Sequence, residues 1–188
     1  MATVLLFHHA LGQTPGFLAF ATHLQEAGHT VHAPDLYEGE VFTDLDAGVA
    51  HAEELGFGHL IEVGNATAGE LPAEVVYAGF SLGALPAQAL AQRRTGASGA
   101  LLYHGGVPSS VFATPWKTDV PLQIHAKELD PYTEVDVVRQ LATESARGEL
   151  YLYPGAGHLF ADPSYDEYDE PAATLLLERT LTFLDQVS

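Results

Sequence analysis

The stretch EVVYAGFSLGALPAQALAQRR, residues 74–94, decides how the rest of the chain is read. An apolar, β-rich run ending at Phe80 passes without a spacer into a helical pattern beginning after Gly83. A strand that turns this sharply into a helix forces the residue at the bend into strained φ/ψ. It also leaves no room for Cβ atoms two positions before and two after the bend. Gly79 and Gly83 supply that room, so GFSLG holds Ser81 exposed at the turn with its Oγ above the sheet. The same turn points the backbone N–H of Leu82 beside that hydroxyl, where it can hold an oxyanion.

The pattern repeats in both directions. Apolar runs at 2–8, 30–36, 74–80, 99–105, 121–127 and 149–154 read as strands, with helical patterns between them. Thr14, Pro15 and Gly28 bracket one helix as N-cap, first residue and terminator. Thr43 with Asp46, and Thr133 with Asp136, have capping-box spacing and open helices near 44–55 and 134–145, and a last helix runs from about Pro171. This order predicts a compact α/β fold, a mostly parallel sheet with helices on both faces, in a single domain over 1–188. Residues 38–72, the longest stretch between strands, are either a small lid over the sheet edge or a connecting helix with a loose tail.

Composition narrows the function. The 188 residues carry a formal charge of −18, and the first cationic side chain is Arg93, so nucleic acid would be repelled. No apolar run approaches the roughly 18 residues of a membrane span. MATVLLFHHA lacks the basic start of a secretory signal, which leaves a cytoplasmic location as the expectation. With no cysteine, thiolate chemistry and disulfides are excluded.

A serine hydroxyl needs a base, and the base needs an orienting acid. In a sheet of this kind both stand at strand ends, in the order Ser, Asp or Glu, His. Asp130 ends one strand segment, and His158 follows another, lifted by the flexible Gly155 and Gly157 just before it. Glu128 competes for the acid role, but Asp130 lies farther past the strand. Ala10 or its neighbour Leu11, after the first strand, can add a second oxyanion donor to Leu82. His9 and His104 also end strands at the site's edge, where they are candidates to contact substrate or else are structural. His23, His29, His51 and His59 read as surface positions. A metal site from His8, His9, His29 and His32 is disfavoured, because neighbouring strand residues point to opposite faces.

Several stretches together resemble the dienelactone hydrolase family of α/β-hydrolases: HHALG (8–12), APDLYEG (33–39), GFSLG (79–83), AKELDP (126–131), YPGAGHLF (153–160) and ERTLTFL (178–184). The resemblance implies an α/β-hydrolase core and a triad of Ser81, Asp130 and His158, with no metal or organic cofactor. Where family enzymes that open dienelactone carry a cysteine and a glutamate, this chain has Ser81 and His9. Where they hold the substrate carboxylate with an arginine just past the histidine, it has Asp162. The expectation is therefore a serine hydrolase for a small neutral ester or lactone, the alternative being a binding or regulatory protein that keeps the fold without turnover.

Overall fold

The computed structural model describes all 188 residues. Six strands, β1 (Thr3–Phe7), β2 (Thr30–His32), β3 (Val76–Phe80), β4 (Gly99–Tyr103), β5 (Leu122–Lys127) and β6 (Gly148–Tyr153), form one sheet in the order β2-β1-β3-β4-β5-β6. Every pairing is parallel. Five helices lie between them, α1 (Pro15–Glu26), α2 (Leu45–Leu55), α3 (Phe57–Gly69), α4 (Ala84–Arg93) and α5 (Val135–Glu144), and α6 (Glu170–Gln186) follows β6. The molecule has the α/β-hydrolase fold.

Alternation along the strands divides the core in two. Val4 and Leu6 of β1 pack with Phe17 and Leu24 of α1 and with Leu176 and Phe183 of α6. Leu5 and Phe7 point the other way, into a cluster with Ala52, Leu60, Ala87, Val138 and Leu141 from α2 to α5. Burial on both faces is what the near-continuous apolar runs encode. Chain direction across the sheet reverses between β1 and β3, the switch point outside which ligands bind in open α/β sheets.

Several local expectations change. The edge strand β2 stops at His32, because Pro34 cannot donate to a ladder and Asp35 takes the N–H groups of Tyr37 and Gly39 in a turn. Strand β4 ends at Tyr103, since His104 adopts φ +63°. Residues 38–72 hold two helices rather than one with a loose tail. They are broken at Gly56, whose φ is +84°. Asp44, not Thr43, caps α2, accepting from Ala47 N–H at 2.8 Å. Thr133 does not cap α5 through its side chain; its hydroxyl is used elsewhere. His29 is buried rather than superficial and accepts from the Ala2 N–H at 3.2 Å. No helix is long and apolar enough to cross a membrane.

Candidate active site

The turn after β3 is as tight as its glycines suggest. Ser81 sits at φ +51°, a left-handed conformation that a non-glycine residue adopts only when its surroundings impose it. A Cβ on Gly79 would lie 2.0 Å from the Gly83 carbonyl oxygen, and one on Gly83 would lie 2.5 Å from that of Phe7. Both glycines are there because backbone occupies the space.

Ser81 Oγ lies 2.7 Å from His158 Nε2, and His158 Nδ1 lies 2.7 Å from Asp130 Oδ2. The acceptor carboxylate at Nδ1 places the proton there, leaving Nε2 as an acceptor for the serine hydroxyl. Asp130 is buried and further held by the Tyr132 N–H at 2.9 Å and the Thr133 hydroxyl at 2.8 Å. Desolvation alone would raise its pKa. The hydrogen bonds and charge of His158, with those of Tyr132 and Thr133, outweigh this and hold the carboxyl below the usual range, so it is ionised at neutral pH. Glu128 is exposed, outside this chain of contacts. The loop bearing His158 is fixed from behind by Glu167, whose carboxylate accepts from the His158 N–H at 2.7 Å.

Across the switch point, the turn after β1 has one free donor. Within Ala10–Gly12, Leu11 N–H donates to His9 Nδ1 at 3.2 Å and Gly12 N–H to the His9 carbonyl at 3.0 Å. Ala10 N–H has no partner. Of the two candidate donors, Leu11's is occupied and Ala10's is not. Helix α2 presses on this turn, since a Cβ on Gly48 would come within 2.1 Å of the Ala10 carbonyl oxygen.

A cavity of about 230 Å³ opens beside Ser81 and His158, walled by Leu45 and Val49 of α2, Leu82, Leu85, Val107 and Tyr132. None of the seven Lys and Arg side chains lines it, and no carboxylate does. A wider open depression of about 700 Å³ lies nearby among Lys127, Asp166, Glu167 and Asp169, but Ser81 and His158 do not line it. His104 belongs to the Ser81 cavity wall, yet both its ring nitrogens are buried without partners. Burial, then the neighbouring His158 and His9, lower its pKa well below 6.5, so it is neutral. His9 is not in the cavity wall. Its ring is buried, with Nε2 at 2.7 Å from Asp162 Oδ2. Thr133 and Glu167 are supports that sequence reasoning did not single out for the site. The first could have been noticed from its spacing of three past Asp130; the second carries no local signal.

A model of the dienelactone hydrolase family matches residues 1–188. The chain belongs to this family. No curated protein matches the sequence. Among solved structures, this dienelactone hydrolase family member is similar to a dienelactone hydrolase-like promiscuous phosphotriesterase from metagenomic libraries, at TM-score 0.77 and 16% identity over 100% of this chain and 87% of that one. It is also similar to esterase 2 of Thermogutta terrifontis. The form phosphonylated by sarin matches at TM-score 0.72 and 14% identity, covering 100% and 84% of the two chains. The propionate-bound form matches at 0.65 and 17%, with the same coverage. At such identities the likeness concerns the fold. The family makes the chain a hydrolase.

Proposed function

We propose that this family member is a serine hydrolase of small, uncharged carboxylic esters or lactones, acting through an acyl-enzyme. Ser81 Oγ attacks the substrate carbonyl while His158 Nε2 takes its proton. Asp130, ionised and hydrogen-bonded at Nδ1, keeps the imidazole in the receptive tautomer and stabilises the imidazolium. The oxyanion is received by the N–H groups of Leu82 and Ala10, each donor worth on the order of 3 kcal/mol in the transition state. His158 then protonates the leaving alcohol, and a water activated by the same imidazole releases the acid. The observation that carries this reading is the line of two 2.7 Å contacts from Ser81 through His158 to Asp130.

Size and polarity of the cavity support the substrate class. Its volume of about 230 Å³ falls below the roughly 300–1,000 Å³ of sites for drug-sized ligands. Its side-chain walls are mainly aliphatic. The propionate and the sarin adduct carried by two structures of one similar esterase agree with a small acyl group and a phosphonylatable nucleophile. The test is labelling with a fluorophosphonate followed by peptide mass spectrometry. The adduct is expected on Ser81 and is expected to vanish in Ser81→Ala; an adduct on another residue, or none, ends the reading.

A further inference from the structure

Beneath the turn after β1 lies a second carboxylate–imidazole pair, built like the first but ending on a backbone amide. Asp162 Oδ2 accepts from His9 Nε2 at 2.7 Å, and His9 Nδ1 accepts from the Leu11 N–H at 3.2 Å. Because Nδ1 is an acceptor, the ring proton resides on Nε2 and is donated to the carboxylate. We propose that His9 and Asp162 are a positioning pair that sets the oxyanion site, holding the Leu11 amide away from the substrate so that Ala10 presents its own. The inference rests on the serine-hydrolase reading of the same site.

The surroundings are constructed for this pairing. Both side chains are buried, and the contact joins residues 153 apart in sequence. Asp162 stands four residues after His158, so the bridge ties the loop carrying the base to the loop carrying the oxyanion donor. Its carboxylate also accepts from the Thr14 hydroxyl at 2.5 Å and the Ser164 N–H at 2.7 Å. It sits at the N-terminus of α1, where the helix dipole favours an anion. Gly16 in that first turn has no space for a Cβ, which would fall 1.8 Å from Asp162 Oδ1. Desolvation pushes the carboxyl's pKa up, but the bonds from His9 and Thr14 bring it below the ordinary range. Asp162 is therefore committed to the clamp and is not the free charge beside the substrate that its place after His158 suggests.

A positioning role separates from a merely structural one through a ligand that needs the oxyanion site. Phenylboronic acid forms a reversible tetrahedral adduct on a serine nucleophile, whereas ester KM reports ground-state binding. In His9→Phe the boronate Kd is expected to rise, and kcat for p-nitrophenyl acetate to fall, by about 30-fold each, with KM moving by less than about threefold. His9→Gln, which carries a donor and an acceptor on one side chain, is expected to recover most of both, and Asp162→Asn to give an intermediate loss. Boronate affinity unchanged in a folded His9→Phe overturns the proposal. If that variant does not fold, nitrogen-15 NMR of the wild-type ring decides: a proton on His9 Nδ1 rather than Nε2 overturns it. Should wild-type protein neither label at Ser81 nor bind the boronate, the hydrolase reading fails on its own evidence, and the tautomer still decides whether the pair exists.

Discussion

Gly79 and Gly58 have the same side chain and opposite meaning. At Gly79 a Cβ would strike the Gly83 carbonyl at 2.0 Å, whereas at Gly58, in the first turn of α3, nothing lies within 4 Å. Gly79→Ala is expected to destabilise the protein by about 3 kcal/mol, the upper part of the usual overpacking range, and to slow fluorophosphonate labelling of Ser81 by tenfold or more, about 1.4 kcal/mol in barrier. Gly58→Ala is expected to stabilise it by up to about 1 kcal/mol, since alanine loses less backbone entropy in a helix. Urea denaturation and labelling rates on the two variants check this; similar behaviour of both would contradict the steric account. The role of Gly79 was legible because GFSLG states its own geometry. That of Gly16 and Gly48 was not, because what fills their missing Cβ space comes from Asp162 and Ala10, far along the chain.

Elements determine which substrates reach the serine. Helix α2 contributes Leu45 and Val49, the 310 turn before α4 and α4 itself contribute Leu82 and Leu85, and the loop after β4 contributes Val107. Four of the seven cationic groups are engaged elsewhere: Arg93 on the Phe112 carbonyl, Arg94 on Tyr77, Arg179 over the Tyr151 ring and Lys127 on Asp169. A substrate carboxylate thus finds no cation in the wall, in a molecule of formal charge −18. For a matched pair of esters, one acyl chain ending in methyl and the other in carboxylate, the neutral ester is expected to win in kcat/KM by at least ~10-fold, about 1.4 kcal/mol. The gap should narrow as salt screens the field. A carboxylated ester hydrolysed equally well would contradict this and mean that an arginine reaches the pocket. The preference was expected from the absence of cations before Arg93, but its reason has moved. Repulsion from Asp162 gives way to an apolar wall without a cationic partner.

At the scale of the whole molecule, folding buries histidines that the unfolded chain would protonate. Burial lowers the pKa of His8 to about 4 and that of His125 to about 3, and it holds His104 well below its ordinary value of 6.5. Below pH 6.5 the unfolded state therefore binds protons that the native state refuses, and stability falls as pH falls. Each such group contributes about 1.4 kcal/mol per pH unit once the unfolded histidine is fully charged, so the three give a slope of about 4 kcal/mol per unit near pH 5.5. At pH 6.5, where the unfolded histidines are half charged, the slope is half as large, and it fades about one unit higher. Urea unfolding at pH 7.5, 6.5 and 5.5 should show a loss of about 1 kcal/mol over the first interval and about 3 kcal/mol over the second. A midpoint constant down to pH 5.5 would mean that these rings are protonated in the native state.

Much of this organisation is local in origin and so was written in the sequence. Strand and helix periods, the Gly-Phe-Ser-Leu-Gly turn, and the placement of Asp130 and His158 after apolar runs depend on a few neighbouring residues, and together they specify the doubly covered parallel sheet. That Asp130 rather than Glu128 meets His158, and that Asp162 holds the His9 ring from which Leu11 draws its acceptor, depended on contacts between distant segments. Thr133 was obscured differently: its contact with Asp130 is local, three residues back, but its spacing to Asp136 is also that of a helix cap. His9 shows the division most directly. Its position at the end of β1 followed from the strand pattern, but its partner stands 153 residues away. A hydrogen bond across that separation leaves no periodicity in the chain, and it exists only because the sheet sets β1 beside β3 and brings the loop after β6 over both.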